Sequence, residues 1–111
     1  MPRPSFVLHK TGNRQFHFNL LGESGETILT SRHYTTKNAC FSGIDSVKRN
    51  AVQSIRYRKR VALNGLHYYN LKAENGRIIG RSEQYRSETS RNKSMASVIA
   101  NAPIAAIEDR T

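Results

Sequence analysis

The chain has 111 residues, 37% hydrophobic and 23% charged, which fits one ordinary globular domain and excludes a disordered polyelectrolyte. A single cysteine, Cys40, excludes an internal disulfide, and no apolar run approaches the ~20 residues of a membrane span. The excess of 18 Lys+Arg over 8 Asp+Glu gives a net charge of +10, which points to a polyanionic partner, of which nucleic acid is the commonest in a cytosol.

Met1 to His9 lacks the apolar core of a secretory signal, so a soluble cytoplasmic protein without a membrane association is expected. Phe6 to Lys10 is a short strand-like run ended by a turn at Thr11-Gly12-Asn13. In Arg14 to Leu20 the residues Phe16, Phe18 and Leu20 alternate with polar ones, the pattern of a half-buried strand. Glu23-Ser24-Gly25 supplies a turn with glycine at the position suited to positive φ, and Glu26 to Thr30 is β-rich. After Tyr34 the period changes. Cys40, Ile44, Val47 and Ala51 fall on one face of a helix, with Thr36 as its N-cap.

The pattern then starts again. Arg56 to Ala62, a turn at Leu63-Asn64-Gly65, Leu66 to Ala73, a turn at Glu74-Asn75-Gly76 and Arg77 to Ser82 read as three further strands. A second helix follows, capped by Ser87, with Arg91, Met95, Val98 and Ala102 in the stripe positions; the charge at Arg91 shortens the apolar stripe. Pro103 closes this helix, and Ile104 to Asp109 can form a last strand.

The restart is a duplication. Asn19 to Tyr34 and Asn70 to Tyr85 share Asn-Leu, Glu-x-Gly and Ser-x-x-Tyr at an offset of 51, and the match extends to Ser46-Val47 with Ser97-Val98 and Asn50-Ala51 with Asn101-Ala102. Residues 1–51 form a first unit and residues 52–111 a second. One such unit cannot bury its sheet face alone, but two about a pseudo-twofold axis can. The expectation is an α+β fold in which the two tandem units form one antiparallel sheet with both helices on one face. The other face is left open, and the chain is read as a monomer that is a pseudo-dimer within itself.

The run FxFNLxxxxGxxIxxSxxY…GIxSVKxNA, with a second copy ending in NAPIAAIEDRT, resembles the YegP-like family of small bacterial proteins over essentially the whole chain. The resemblance implies β(3)-α-β units in one sheet with the closing strand exchanged between units. It implies no activity. The chain departs from the pattern in its second helix, where Ser94-Met95 replaces Gly-Ile, and it is more basic than the family pattern leads one to expect.

No catalytic constellation is found. His9, His17, His33 and His67 have no metal-ligand spacing with Cys40 or a carboxylate. Cys40 lies on the apolar face of the first helix with no base in its neighbourhood. Glu23 and Glu74 occupy matching turns, where carboxylates are solvated, and Gly22 to Gly25 lacks the Gly-Lys-Ser/Thr of a phosphate loop. A non-enzyme without metal or cofactor is therefore expected. The densest basic cluster is Arg56-Tyr57-Arg58-Lys59-Arg60. If Tyr57 takes the place of core Phe6, then Arg56, Arg58 and Arg60 share the open sheet face with Tyr68, Asn70 and Lys72. Arg56, Arg58, Arg60 and Lys72 would neutralise phosphates and Tyr68 would stack a base. The alternative partner is a protein docked on the sheet edge or open face.

Overall fold

Both N-caps act as the sequence implies: the Thr36 hydroxyl accepts from the Ala39 amide at 3.0 Å and the Ser87 hydroxyl from the Ser90 amide at 3.1 Å. They open helices α1 (Lys37–Asn50) and α2 (Glu88–Asn101) of the computed structural model, which describes residues 3–111. Met1 and Pro2, the start of the first expected unit, lie outside the described residues. The strands are β1 (Ser5–Lys10), β2 (Phe16–Leu21), β3 (Thr27–Ser31), β4 (Tyr57–Val61), β5 (His67–Lys72), β6 (Ile78–Arg81) and β7 (Ala106–Asp109). The hairpin glycines Gly25 and Gly76 have φ of 81° and 85°, a conformation costly for any residue with a Cβ.

The seven strands form one sheet in the order β4-β5-β6-β3-β2-β1-β7. Exchanging β1, β2, β3 for β4, β5, β6 leaves the order of the first six unchanged, so a pseudo-twofold axis passes between β3 and β6. Pairing registers repeat at the same offset: Phe6 faces Leu20 as Tyr57 faces Leu71, and a bulge follows Leu20 as one follows Leu71. Tyr57 does take the place of Phe6. Phe6 and Phe18 meet edge-on at 5.6 Å, and Tyr57 and Tyr69 do so at 5.8 Å.

The closing strand is exchanged between the units: β7, at the end of the second, lies on β1 of the first. It runs parallel to β1, so the sheet is mixed where a wholly antiparallel one was expected. A four-residue strand carries no direction in its own pattern. The 3-10 turn Ala102–Ile104, with Pro103 in it, sets the direction by bending the chain as it leaves α2. The end of β7 is tied back to the first turn of α1, where Lys37 Nζ lies 2.5 Å from an Asp109 carboxylate oxygen.

Each helix packs across both units, α1 on β2, β5 and β6, and α2 on β3 and β5. One core results. It holds Phe6, Leu8, Phe18, Leu20, Leu29, Ile44 and Val47 with Tyr57, Tyr69, Leu71 and Val98. Arg91, in the stripe position where the first helix has Cys40, is only 5% exposed. The long arginine stem continues the stripe, and its guanidinium bonds the neighbouring Asn92 side chain. The repeated polar residues serve the backbone. Ser31 accepts from the Phe18 amide at 2.9 Å and Ser82 from the Tyr69 amide at 3.0 Å, while Asn50 and Asn101 reach back one helical turn to Ser46 and Ser97.

Symmetry is broken where equal side chains would collide. Leu29 lies beside the axis with no exposed surface, and its repeat equivalent is Gly80. A Cβ on Gly80 would sit 2.7 Å from the Leu29 side chain, so only one of the two positions can carry a side chain.

Candidate nucleic-acid interface

Alternation along each strand assigns the faces. Phe6, Leu8, Phe18, Leu20, Tyr57, Tyr69 and Leu71 point at the helices, so Ser5, Val7, His9, His17 and Asn19 on one half, and Arg58, Arg60, Tyr68 and Asn70 on the other, point away. The register aligns them into a row across the sheet: Arg58 faces Asn70, Asn70 faces Arg81, Arg81 faces Thr30, Thr30 faces Asn19 and Asn19 faces Val7. One row over, Arg60 faces Tyr68.

The two halves of this face differ in charge and in ring type: His17 gives way to Tyr68, Arg32 in the groove gives way to Glu83, and elsewhere cations are gained. At four equivalent positions the first unit has Val7, His9, Leu21 and Thr30 where the second has Arg58, Arg60, Lys72 and Arg81. Each of these four changes adds a cation, and all four lie on the same face. Arg81 was not among the residues singled out from the sequence, yet it contacts both Asn70 and Tyr68 on this face. Its Nε donates to the Asn70 side-chain oxygen at 3.1 Å, and its guanidinium lies 5.3 Å from the centre of the Tyr68 ring. Arg81 thus covers one face of the half-buried Tyr68 ring as a cation–π partner.

The expected site residues are only partly united. Arg60 is exposed and adjoins Tyr68, and Lys72 is half-buried on the same face. Arg58 is on the face by register, but its guanidinium bends to the sheet edge and donates to the Ile55 and Tyr57 carbonyls at 2.6 and 3.1 Å. Arg56 is not on a strand. It ends a 3-10 turn, Ser54–Arg56, and its buried Nε has no hydrogen-bond partner among the described residues. The backbone must turn there to join α1 to β4, and β periodicity does not apply to a turn. The residues gathered on the face are thus Arg60, Tyr68, Lys72 and Arg81, flanked by Arg58.

A groove of about 340 Å³ runs along the axis between β3 and β6, lined by Thr30, Arg32, Ile78, Arg81 and Glu83 among others. It adjoins the cluster through Arg81. On the other half of the face three histidines stack: His17 lies 5.1 Å from His9 and 5.3 Å from His33, ring centre to ring centre. They are far apart in sequence and only strand register brings them together. Burial, with His9 and His33 beside it, holds His17 below the ordinary 6.5. Among the described residues no group of three His, Cys, Asp or Glu side chains has the geometry to hold a metal. Cys40 is wholly buried; burial, with Asp109 as a smaller cause, pushes its thiol up to about 11. Among the described residues no helix is long and apolar enough to cross a membrane.

Comparison with known proteins gives one consistent picture. The family described as "Domain of unknown function (DUF1508)" matches residues 12–57 and again residues 62–109. The UPF0339 protein YegP of Escherichia coli K12 is 46% identical over 106 residues, 96% of both chains. A UPF0339 protein of Shewanella oneidensis is 43% identical over the same share of each. The solution structure of the E. coli protein of unknown function yegP superposes with a TM-score of 0.93 at 44% identity, covering 100% of this chain and 96% of that one. That of the S. oneidensis protein SO3888 gives 0.90 at 42%, covering 97% and 92%.

Proposed function

The chain belongs to the DUF1508 family, and for this member we propose a non-catalytic binding role: the open sheet face of the second unit holds single-stranded nucleic acid, weakly and with little sequence preference. The observation that carries this reading is the replacement of four neutral residues by Arg58, Arg60, Lys72 and Arg81 on one face around one aromatic ring. Arg60, Lys72 and Arg81 neutralise successive phosphates. Tyr68, backed by Arg81, offers its outer face to a base, and such stacking is worth about 1–3 kcal/mol per base in single-strand binders. Neither interaction reads base identity, so the binding tolerates any sequence.

The test is fluorescence anisotropy with a labelled oligothymidylate over a range of salt. Each phosphate neutralised on a single strand contributes about −0.7 to the slope of log K against log salt. Changing Arg60, Lys72 and Arg81 together to Gln is expected to lower the affinity and to flatten the slope by about 2. Absence of binding at low salt, or an unchanged slope, would remove the proposal. The uncovered outer edge of β4 favours a second reading, a module that docks a protein partner.

A further inference from the structure

The two ends of the sheet are finished differently although the strands there are repeat equivalents. The outer edge of β1 is covered by β7: the Ala106 amide donates to the Pro4 carbonyl and the Arg110 amide to the Leu8 carbonyl, both at 3.1 Å. Among the described residues no strand lies beside the outer edge of β4. The chain leaving α1 cannot supply one, because the residues equivalent to β7 are Ile55 to Arg58, which run through the 3-10 turn into β4 itself.

A side chain occupies part of the vacant place. Arg58 Nη1 donates to the carbonyl of Ile55, the equivalent of Pro4, at 2.6 Å and to that of Tyr57, the equivalent of Phe6, at 3.1 Å. It thus bonds the same backbone oxygen that β7 takes with its Ala106 amide at the other end. The Tyr57 amide donates back to the Ser54 carbonyl at the end of the 3-10 turn, so the outward groups left free in mid-strand are those of Lys59. Bonding to β5 alternates with Ala62, which donates to Leu66, and the equivalent of Lys59 is Leu8, whose carbonyl faces β7. An edge strand with free backbone groups is a template for a further strand.

The charges define what fits. In the observed pairing Ile107, Glu108 and Asp109 of β7 lie opposite Phe6, Val7 and Leu8. At the β4 edge the same three positions are Tyr57, Arg58 and Lys59, an aromatic residue followed by two exposed cations. Val7 and Leu8 are buried and apolar and offer no counter-charge to the two acids. Asp109 takes its counter-charge from Lys37 of α1 instead, whereas the free edge carries two cations on the strand itself and so suits an apolar-acidic-acidic segment. Ile55 and Val61, 68% and 61% exposed, flank it with apolar surface.

We propose that the outer edge of β4 docks an extended acidic segment of a partner protein as an eighth, parallel strand. Lys59 bonds its backbone through both its amide and its carbonyl, and Arg58 swings from the Ile55 and Tyr57 carbonyls to a carboxylate of the segment, whose amides take those carbonyls over. The proposal rests on the second reading, that of a docking module. It leaves Arg60, Tyr68, Lys72 and Arg81 free on the face.

The test is a titration of the full, ¹⁵N-labelled chain with a capped peptide of sequence Ile104 to Arg110, an acidic strand of known fit to β1. Shift changes are expected along Tyr57 to Val61, with slowed amide exchange at Lys59 and Val61, at about 1 mM peptide. A peptide with Glu108→Gln and Asp109→Asn is expected to bind about fivefold more weakly, the contribution of two exposed ion pairs. Lys59→Pro in the chain is expected to abolish the changes. The Lys59 amide points outward, so proline there breaks no bond to β5, and unchanged shifts in α1 and α2 show that the variant is folded. Shift changes at β1, or equal binding of the neutral peptide, would overturn the proposal. Changes confined to the open face would overturn it too while leaving a docking module, and no change anywhere would remove both. Protection of the same amides by raised protein concentration alone would assign the edge to a second copy, against the proposal.

Discussion

The Tyr69 hydroxyl lies 2.7 Å from that of Ser94, deep in the core, and the first unit has neither group: its equivalents are Phe18 and Gly43. The two changes belong together. The extra Tyr69 hydroxyl also donates to the Ile28 carbonyl at 2.9 Å, and Tyr85 reaches the same Ser94 oxygen at 2.8 Å. In the first unit a Cβ on Gly43 would strike the Tyr34 ring, so serine has no room there. Ser94→Ala is expected to cost about 1–2 kcal/mol, because the buried Tyr69 hydroxyl and the half-buried Tyr85 hydroxyl each lose a partner. Ser94→Gly with Tyr69→Phe, which copies the first unit, should cost less than the two single changes summed. Chemical denaturation of the four proteins checks this.

Gly80→Ala is expected to destabilise by about 1–3 kcal/mol, since the added methyl meets the fully buried Leu29. Leu29→Ala in the same chain should recover part of the loss, as the space is shared across the axis. Denaturation midpoints that show simple additivity of the two changes would argue against the shared space.

The histidine stack sets a pH dependence. His17 is held below 6.5 when folded, so the unfolded chain binds its proton more readily. Stability from this source is complete above pH 6.5 and falls as the pH drops below it through the folded value. Urea midpoints should therefore decline from pH 7.5 to 5.5, and His17→Asn should flatten the decline. NMR titration of the His17 imidazole would show it protonating below pH 6.5.

Cys40 should be inert in the folded state. With no exposed surface and its thiol pushed up to about 11, it is expected to react with a thiol-specific disulfide reagent at pH 8 only at the rate of unfolding. Rapid labelling of the native protein would contradict the packing role.

The duplication made the elements readable. Period-two runs, Asn-Gly and Glu-x-Gly turns and the Thr36 and Ser87 caps are local signals, and two copies in register confirmed one another. The placement of Tyr57 in the core and of Arg58, Arg60, Tyr68 and Lys72 on the opposite face followed from the same offset. What was missed depends on contacts between elements. The direction of β7 is set at the turn after α2. Arg56 lies in a connecting turn that has no counterpart in strand periodicity. Arg81 joins Tyr68 and Asn70 only through the β5–β6 register, and His9, His17 and His33 meet only through two pairings. The burial of Arg91 depends on the length of its stem, which a pattern of charged and apolar letters does not convey.

The most direct measurement of the central claim is the map of amide and side-chain shift changes in the ¹⁵N-labelled chain on adding oligothymidylate at low salt. The account predicts changes at Arg60, Tyr68, Lys72 and Arg81, with the face of β1 and β2 unaffected. Changes spread evenly over the surface, or centred on His9, His17 and His33, would contradict it.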